Sequence, residues 1–216
     1  MKKYQLLTAD TKMITHPKTK LPCKLFRIIA LKTWTRGIIR INEGDIGGYI
    51  QSEENLRHDD DSWVFHDGMI FDNATLTDTI VMQRAAVFGE VKLNNCMVKD
   101  YTRIFDNVRA KDSQFSGNTD AYGNAVIEFC NLNNSCIING NTHVSNTKLY
   151  HGAMIGDSAI VSNSTLHDTA RILGNSNVEN CKLTSSVCIF NETKKNETLS
   201  RDIVLNQSYP EIANAF

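Results

Sequence analysis

Apolar residues recur along the chain at a fixed step of seventeen. Ile70, Val87, Ile104, Ala121, Ile138, Ile155, Ile172 and Ile189 form one such series, and two residues ahead of each stands a small or β-branched one, from Gly68 and Ala85 to Ala170 and Val187. A second pair of series runs from Ala74 and Leu76 to Ser176 and Val178, with Thr193 one step further. A third runs from Thr79 and Val81 to Cys181 and Leu183, and Ser62 and Val64 open it one turn earlier. Self-similarity at a fixed period marks a solenoid. Residues two apart share one side of a strand, so each small-x-large dyad predicts a short strand with two side chains turned inward. Three strands per turn, offset by six, five and six residues, describe a triangular prism. One corner reads Asp72-Asn73, Gly89, Asp106-Asn107, Gly123-Asn124, Gly140-Asn141, Asp157 and Gly174-Asn175. These residue types tolerate the left-handed conformations of a tight corner.

The pattern therefore predicts an all-β chain: a single-stranded parallel β-helix over residues 62–193, a small β-rich cap over 1–61, and a tail or second cap over 194–216. A β-helix leaves unpaired backbone groups on its end turns, and something must cover them. In the N-terminal part the run from Lys24 to Leu31 reads as a strand, Gly37 as a breaker, and Gly44 to Gly48 as a turn feeding Tyr49-Ile50. At the other end the pattern fails where Lys195 falls on an inward position, and Tyr209-Pro210 lies in a tail expected to fold over the last turn or dock on a neighbour.

Hexads such as Ile70-Phe71-Asp72-Asn73-Ala74-Thr75 and Ile104-Phe105-Asp106-Asn107-Val108-Arg109 resemble the hexapeptide repeat of left-handed β-helices. The left hand expected here comes from that resemblance. The passage Gly44-Asp45-Ile46-Gly47-Gly48-Tyr49-Ile50, followed by Asn55-Leu56 and Trp63-Val64, resembles the opening of YdcK-like bacterial proteins, often found in phages or prophages. Motif and repeats together cover residues 44 to 193. This resemblance implies the architecture and a phage or prophage setting, and it carries over no activity. Hexapeptide-repeat folds also include acyl- and acetyltransferases that use coenzyme A or an acyl carrier protein, in which a histidine would act as general base. Fold does not imply function.

Charge changes little in this picture. With 23 Lys+Arg against 24 Asp+Glu, no global field draws the chain to nucleic acid or anionic membrane. The six basic residues Lys2, Lys3, Lys18, Lys20, Lys24 and Arg27 read as a solvated face rather than a binding patch. No apolar run is long enough to span a membrane, so a soluble, cytoplasmic protein is expected. Of the six cysteines, Cys96, Cys130, Cys136 and Cys181 fall on small inward positions shared with Ser, Thr and Ala, where a free Cys behaves as a small buried hydrophobe. Cys23 and Cys188 lie off the ladder. N-x-[ST] triplets at Asn73 and Asn163 would matter only in a secreted chain.

Candidate chemistry is sparse. His143 points outward between Thr142 and Val144, while His151 and His167 fall at corners, with Asp168 beside His167. The repeats run without the protruding loop that closes a substrate site in transferases of this fold, which counts against an enzyme. Lys92 and Arg109 stack on the second face with Arg103 and Lys111 nearby in sequence, but the series stops at Val126, so nucleic acid is not expected as a partner. No phosphate-binding glycine motif and no metal-ligand spacing occurs. No cofactor is implied. The outward residue after each inward Ile70-series position reads Phe71, Phe88, Phe105, Tyr122, and Met69 and Met154 extend that row. A contiguous apolar row on a surface marks a contact area, here a subunit or partner interface, or else cover by the cap. The first reading is thus a non-enzymatic binding or assembly protein with a protein partner or self-association, which the resemblance extends to a phage or prophage protein acting on a host protein. The alternative is a coenzyme A-dependent acyl- or acetyltransferase of the hexapeptide type.

Overall fold

The computed structural model describes residues 2–200 and the backbone of Val204–Leu205. The seventeen-residue period becomes a parallel β-solenoid. Met69–Ile70 pairs in register with Ala86–Val87, which pairs with Arg103–Ile104, and the same step repeats up the first face to Cys188–Phe190. The second face stacks eight strands from Thr75–Thr77 to Thr193–Lys195, and the third stacks nine, from Trp63–Val64 to Thr198–Leu199. At about 4.8 Å per turn the rod is roughly 40 Å long.

Inward dyads fill the prism. Ile70, Leu76, Val81, Ile104, Phe115, Leu132, Ile138 and Leu183 are all fully buried in one continuous core. Small inward residues of the third face also serve the backbone. The Cys96 amide donates to Thr79 Oγ1 (3.1 Å), that of Cys130 to Ser113 Oγ (3.0 Å) and that of Cys181 to Ser164 Oγ (3.0 Å). The thiols in turn donate to carbonyls, Cys96 to Asn94 and Cys130 to Glu128. Hydroxyl and thiol thus recur there because each is small and can satisfy a buried backbone group.

All three corners hold residues at positive φ, one per turn at the first and second, while the third doubles it at Asn134-Ser135 and His151-Gly152. The first is a column of aspartate and glycine ending at Asn191, in which Gly89 N–H donates to Asp72 Oδ2 (3.0 Å), Gly123 N–H to Asp106 Oδ2 (3.1 Å) and Gly174 N–H to Asp157 Oδ2 (2.8 Å). The second is a column of Asp and Asn, with side-chain amide bonds from Asn95 to Asp112 (2.5 Å) and Asn146 to Asn163 (2.7 Å). Phe129, at φ 54°, is the one exception in that column.

The ladder extends past 62–193 at both ends. β1 (Tyr4–Thr15) and β2 (Pro22–Ala30) form an antiparallel hairpin, and β3 (Trp34–Arg36) and β4 (Ile39–Ile41) form another around Gly37. β2 pairs antiparallel with β5 (Ile46–Ile50), and β5 already pairs parallel with Met69–Ile70. The solenoid therefore begins inside the segment read as cap. Its first turn escapes a fixed period because Ile50 and Ile70 are partners twenty residues apart. Asn55, buried in the extra turn, donates to the carbonyls of Asp72 and Ala74 and accepts from the Gln51 and Ser52 amides. At the far end the step shortens to sixteen, pairing Asn177 with Thr193, Val178 with Lys194, and Cys188 with Val204. Thr193 thus leaves the small inward series, and Lys194 rather than Lys195 comes opposite Val178. The tail around Tyr209-Pro210 lies outside the described residues. No helix among the described residues is long and apolar enough to cross a membrane.

Candidate interaction surface

The outward aromatic row is a stack of rings. Phe71 and Phe88 lie 4.7 Å apart at 3°, Phe88 and Phe105 5.1 Å at 7°, and Phe105 and Tyr122 5.0 Å at 3°. In-register parallel strands force this geometry, because the same position repeats directly above itself on each turn. Asn139 continues the column by donating its side-chain amide to the Tyr122 hydroxyl (2.8 Å).

The hairpin β1–β2 lies across the first half of this row. Cys23 and Leu25 of β2 pack with Tyr49, Phe71, Ala86 and Phe88 in a second apolar cluster, against which Ile14, Met69 and Phe105 also rest. Phe71 and Phe88 are consequently buried, which corrects the expectation that they are available to a partner. Phe105, Tyr122, Met69 and Met154 are half-buried.

The hairpin tip is clasped to the first corner. His16 places Nε2 3.0 Å from Asp72 Oδ2, and its Nδ1 accepts the amides of Lys18 (3.2 Å) and Thr19 (3.0 Å). An acceptor Nδ1 means that the proton sits on Nε2 and is donated to Asp72. The ring stands edge-on to both Phe71 and Phe88. Lys18 pairs with Asp106 and lies over Phe105. This His-Asp pair resembles a catalytic couple, yet both ring nitrogens are engaged in holding the turn. Nothing in the periodic pattern pointed to it, since the contact joins a non-repeating turn to a repeating corner. The Pro17-to-Lys20 turn signal ahead of the strand-like run at Lys24 was the available clue.

Of the basic N-terminal residues Lys2, Lys18, Lys20 and Lys24 are exposed, as a solvated face implies, whereas Lys3 and Arg27 turn inward. Lys3 is fully buried, donating to Asp60 Oδ1 (2.8 Å) and to the carbonyls of Asp60 (3.0 Å) and Ser62 (2.8 Å), and burial lowers its pKa from the usual lysine value. Arg27 pairs with Asp10 and donates to the Tyr49 hydroxyl. On the second face Lys92 and Arg109 are adjacent and exposed, whereas Arg103 sits on the first face, paired with Asp120.

His143 is exposed on the second face, as its position implied. His151 and His167 do come together, with the His167 ring stacked 4.7 Å from Tyr150 and 6.4 Å from His151. Asp168 is not free to orient His167 by its Oδ2, which accepts the Ser185 amide (3.1 Å). The cysteines are free and buried, Cys23 and Cys188 included, and burial pushes the Cys96 and Cys130 thiols up to about 11. Such thiols are poor nucleophiles. Among the described residues no group of three or more His, Cys, Asp or Glu could hold a metal ion.

Beyond the hairpin tip the apolar row goes on. Half-buried Ile137 and Met154 occupy one outward column, and Asn139 and Leu173 close over Gly156 in the next, where an added Cβ would lie 2.6 Å from Asn139 Oδ1. No family model matches the chain, and no curated protein matches its sequence.

Proposed function

We propose that the protein is a non-enzymatic binding module whose contact surface is the outer side of the first face beyond the hairpin. One observation carries this reading. The aromatic stack is sealed by the hairpin at Phe71 and Phe88, while Phe105 and Tyr122 stay half-exposed and lead into Ile137, Met154 and Leu173. A rigid parallel sheet presents such a strip without ordering cost, which favours association. The unbroken seventeen-residue step from Met69 to Ile189 supports the same view, since a rod without inserted loops has no closing element of its own. A phage or prophage setting, acting on a host protein, is part of the proposal and rests on sequence resemblance.

A photo-crosslinking residue at Met154 should trap a discrete adduct in cells expressing the protein, and the same residue at Gln114 on the third face should not. Equal labelling from both positions would overturn the proposal. The coenzyme A-dependent transferase is the second reading, favoured by the grouping of Tyr150, His151 and His167 at one corner. Calorimetry with coenzyme A tests it, and turnover of an acyl donor abolished by His167→Ala would replace the first reading.

A further inference from the structure

Two irregularities of the solenoid meet on its second face. Lys92 and Arg109 are direct partners on adjacent parallel strands and both are exposed, so the ladder holds two cations in register, about 4.8 Å apart at the backbone. Like charges opposed in this way destabilise a sheet. Neither side chain has a carboxylate partner among the described residues. Lys111, the next outward residue after Arg109, differs, since it lies 3.8 Å from Asp112 and opposite Glu128. Its ammonium also stands 5.9 Å from the ring centre of Phe129, the second irregularity. Phe129 is 57% exposed and held at φ 54° in a column of Asp and Asn, between the side-chain bonds of Asn95 to Asp112 and of Asn146 to Asn163. A bulky side chain in the left-handed region is strained, and such strain collects at contact sites. Both features cost the fold stability, and neither fills its core. Beside the paired cations runs a groove of about 380 Å³, lined by Asn107 and Asn124 of the first corner and by half-buried Val126.

We propose that this part of the second face binds an acidic peptide segment of a partner protein, whose carboxylates meet Lys92 and Arg109 while an apolar side chain packs on Phe129. Charge complementarity selects the occupant. A carboxylate between the two cations removes their repulsion, and the Arg109 guanidinium can hold one by two parallel hydrogen bonds. Arginine and aromatic side chains are also the ones that carry most of the energy in protein contacts. A nucleic-acid strand fits less well. The row of cations ends at Val126, the partner of Arg109 on the next strand, and the flanking Glu90, Asp112 and Glu128 repel a run of phosphates. This surface is separate from the apolar strip of the first face, so the two stand or fall independently.

Fluorescence anisotropy at low salt tests this, with a labelled peptide of Glu-Glu-Leu repeats set against the same peptide carrying Gln for Glu. The acidic peptide should bind and the neutral one should not, with affinity falling as salt is added. Arg109→Glu and Phe129→Asn should each weaken binding about tenfold. Both variants should melt no lower than the parent, because each removes a feature that costs stability, so the loss of binding is not a folding defect. Met154→Asp, on the apolar strip, should bind the acidic peptide as the parent does. Absence of binding overturns the proposal, as does equal binding of the two peptides or binding indifferent to both second-face substitutions. A single-stranded oligonucleotide held more tightly than the acidic peptide also overturns it and assigns the face to nucleic acid.

Discussion

At Gly89 the chain turns with φ +86°, and a Cβ there would lie 2.7 Å from the Asp106 carbonyl oxygen and 2.9 Å from its nitrogen. Gly44 has nearly the same φ, +88°, with nothing within 4 Å of an added Cβ. The pair separates conformational strain from collision between coils. Gly44→Ala should cost about 1 kcal/mol, and Gly89→Ala distinctly more, about 3 kcal/mol, in urea unfolding. Equal costs would show that neighbouring coils move apart without penalty. Phe129 gives the opposite case. It is 57% exposed, sits at φ 54°, and stands where the adjoining turns carry Asp112 and Asn146. Phe129→Asn should raise stability by about 1 kcal/mol, by relieving the left-handed strain and offering a side-chain amide to the column. The inward columns were legible in the sequence because burial admits few residue types at a position repeated on every turn. The third corner was not, since His66, Gln83, Asp100 and Ser185 share a backbone conformation and little side-chain chemistry.

The hairpin β1–β2 is the element whose role the sequence concealed. β2 was visible as the strand-like run at Lys24, but β1 was not, because residues 8–10 fall in the bulge where its register against β2 shifts. Periodicity placed Phe71, Phe88, Phe105 and Tyr122 in one column and could not say which of them a non-repeating element covers. The structure divides them. Phe88 lies between two parallel rings with His16 edge-on, so Phe88→Asp would bury a carboxylate near Asp72 and should cost about 3 kcal/mol or more. The hairpin should loosen before the rod does, and limited trypsin treatment should cut faster after Lys18 and Lys20. Phe105→Asp, half-exposed under Lys18, should leave cleavage at those lysines close to that of the parent. Equal acceleration in both variants would mean that the hairpin is held by the stack as a whole rather than by its buried half.

For the whole molecule, each turn touches only the turns above and below it, so stability is close to a sum of nearest-neighbour terms. Those terms are not uniform. In the middle, Ile104, Ala121 and Ile138 stack fully buried, while in the last turn the residue opposite Val178 is half-buried Lys194, and Glu192 and Glu197 are half-buried too. The N-terminal end is instead closed by Tyr4, Ile28, Ile41 and Trp63, all fully buried. The rod should therefore open from its C-terminal end. Hydrogen exchange should show the amides of 193–199 least protected, then those of 177–190, with the central turns exchanging only through global unfolding. Ile104→Asp would place an unpaired charge between two complete layers and should abolish the cooperative transition, a loss of several kcal/mol. Leu199→Asp, at a half-buried end position, should shift it by under about 1 kcal/mol. If protection were uniform from 69 to 199 and both substitutions equally damaging, the turns would fold as one indivisible unit and the nearest-neighbour description would be wrong.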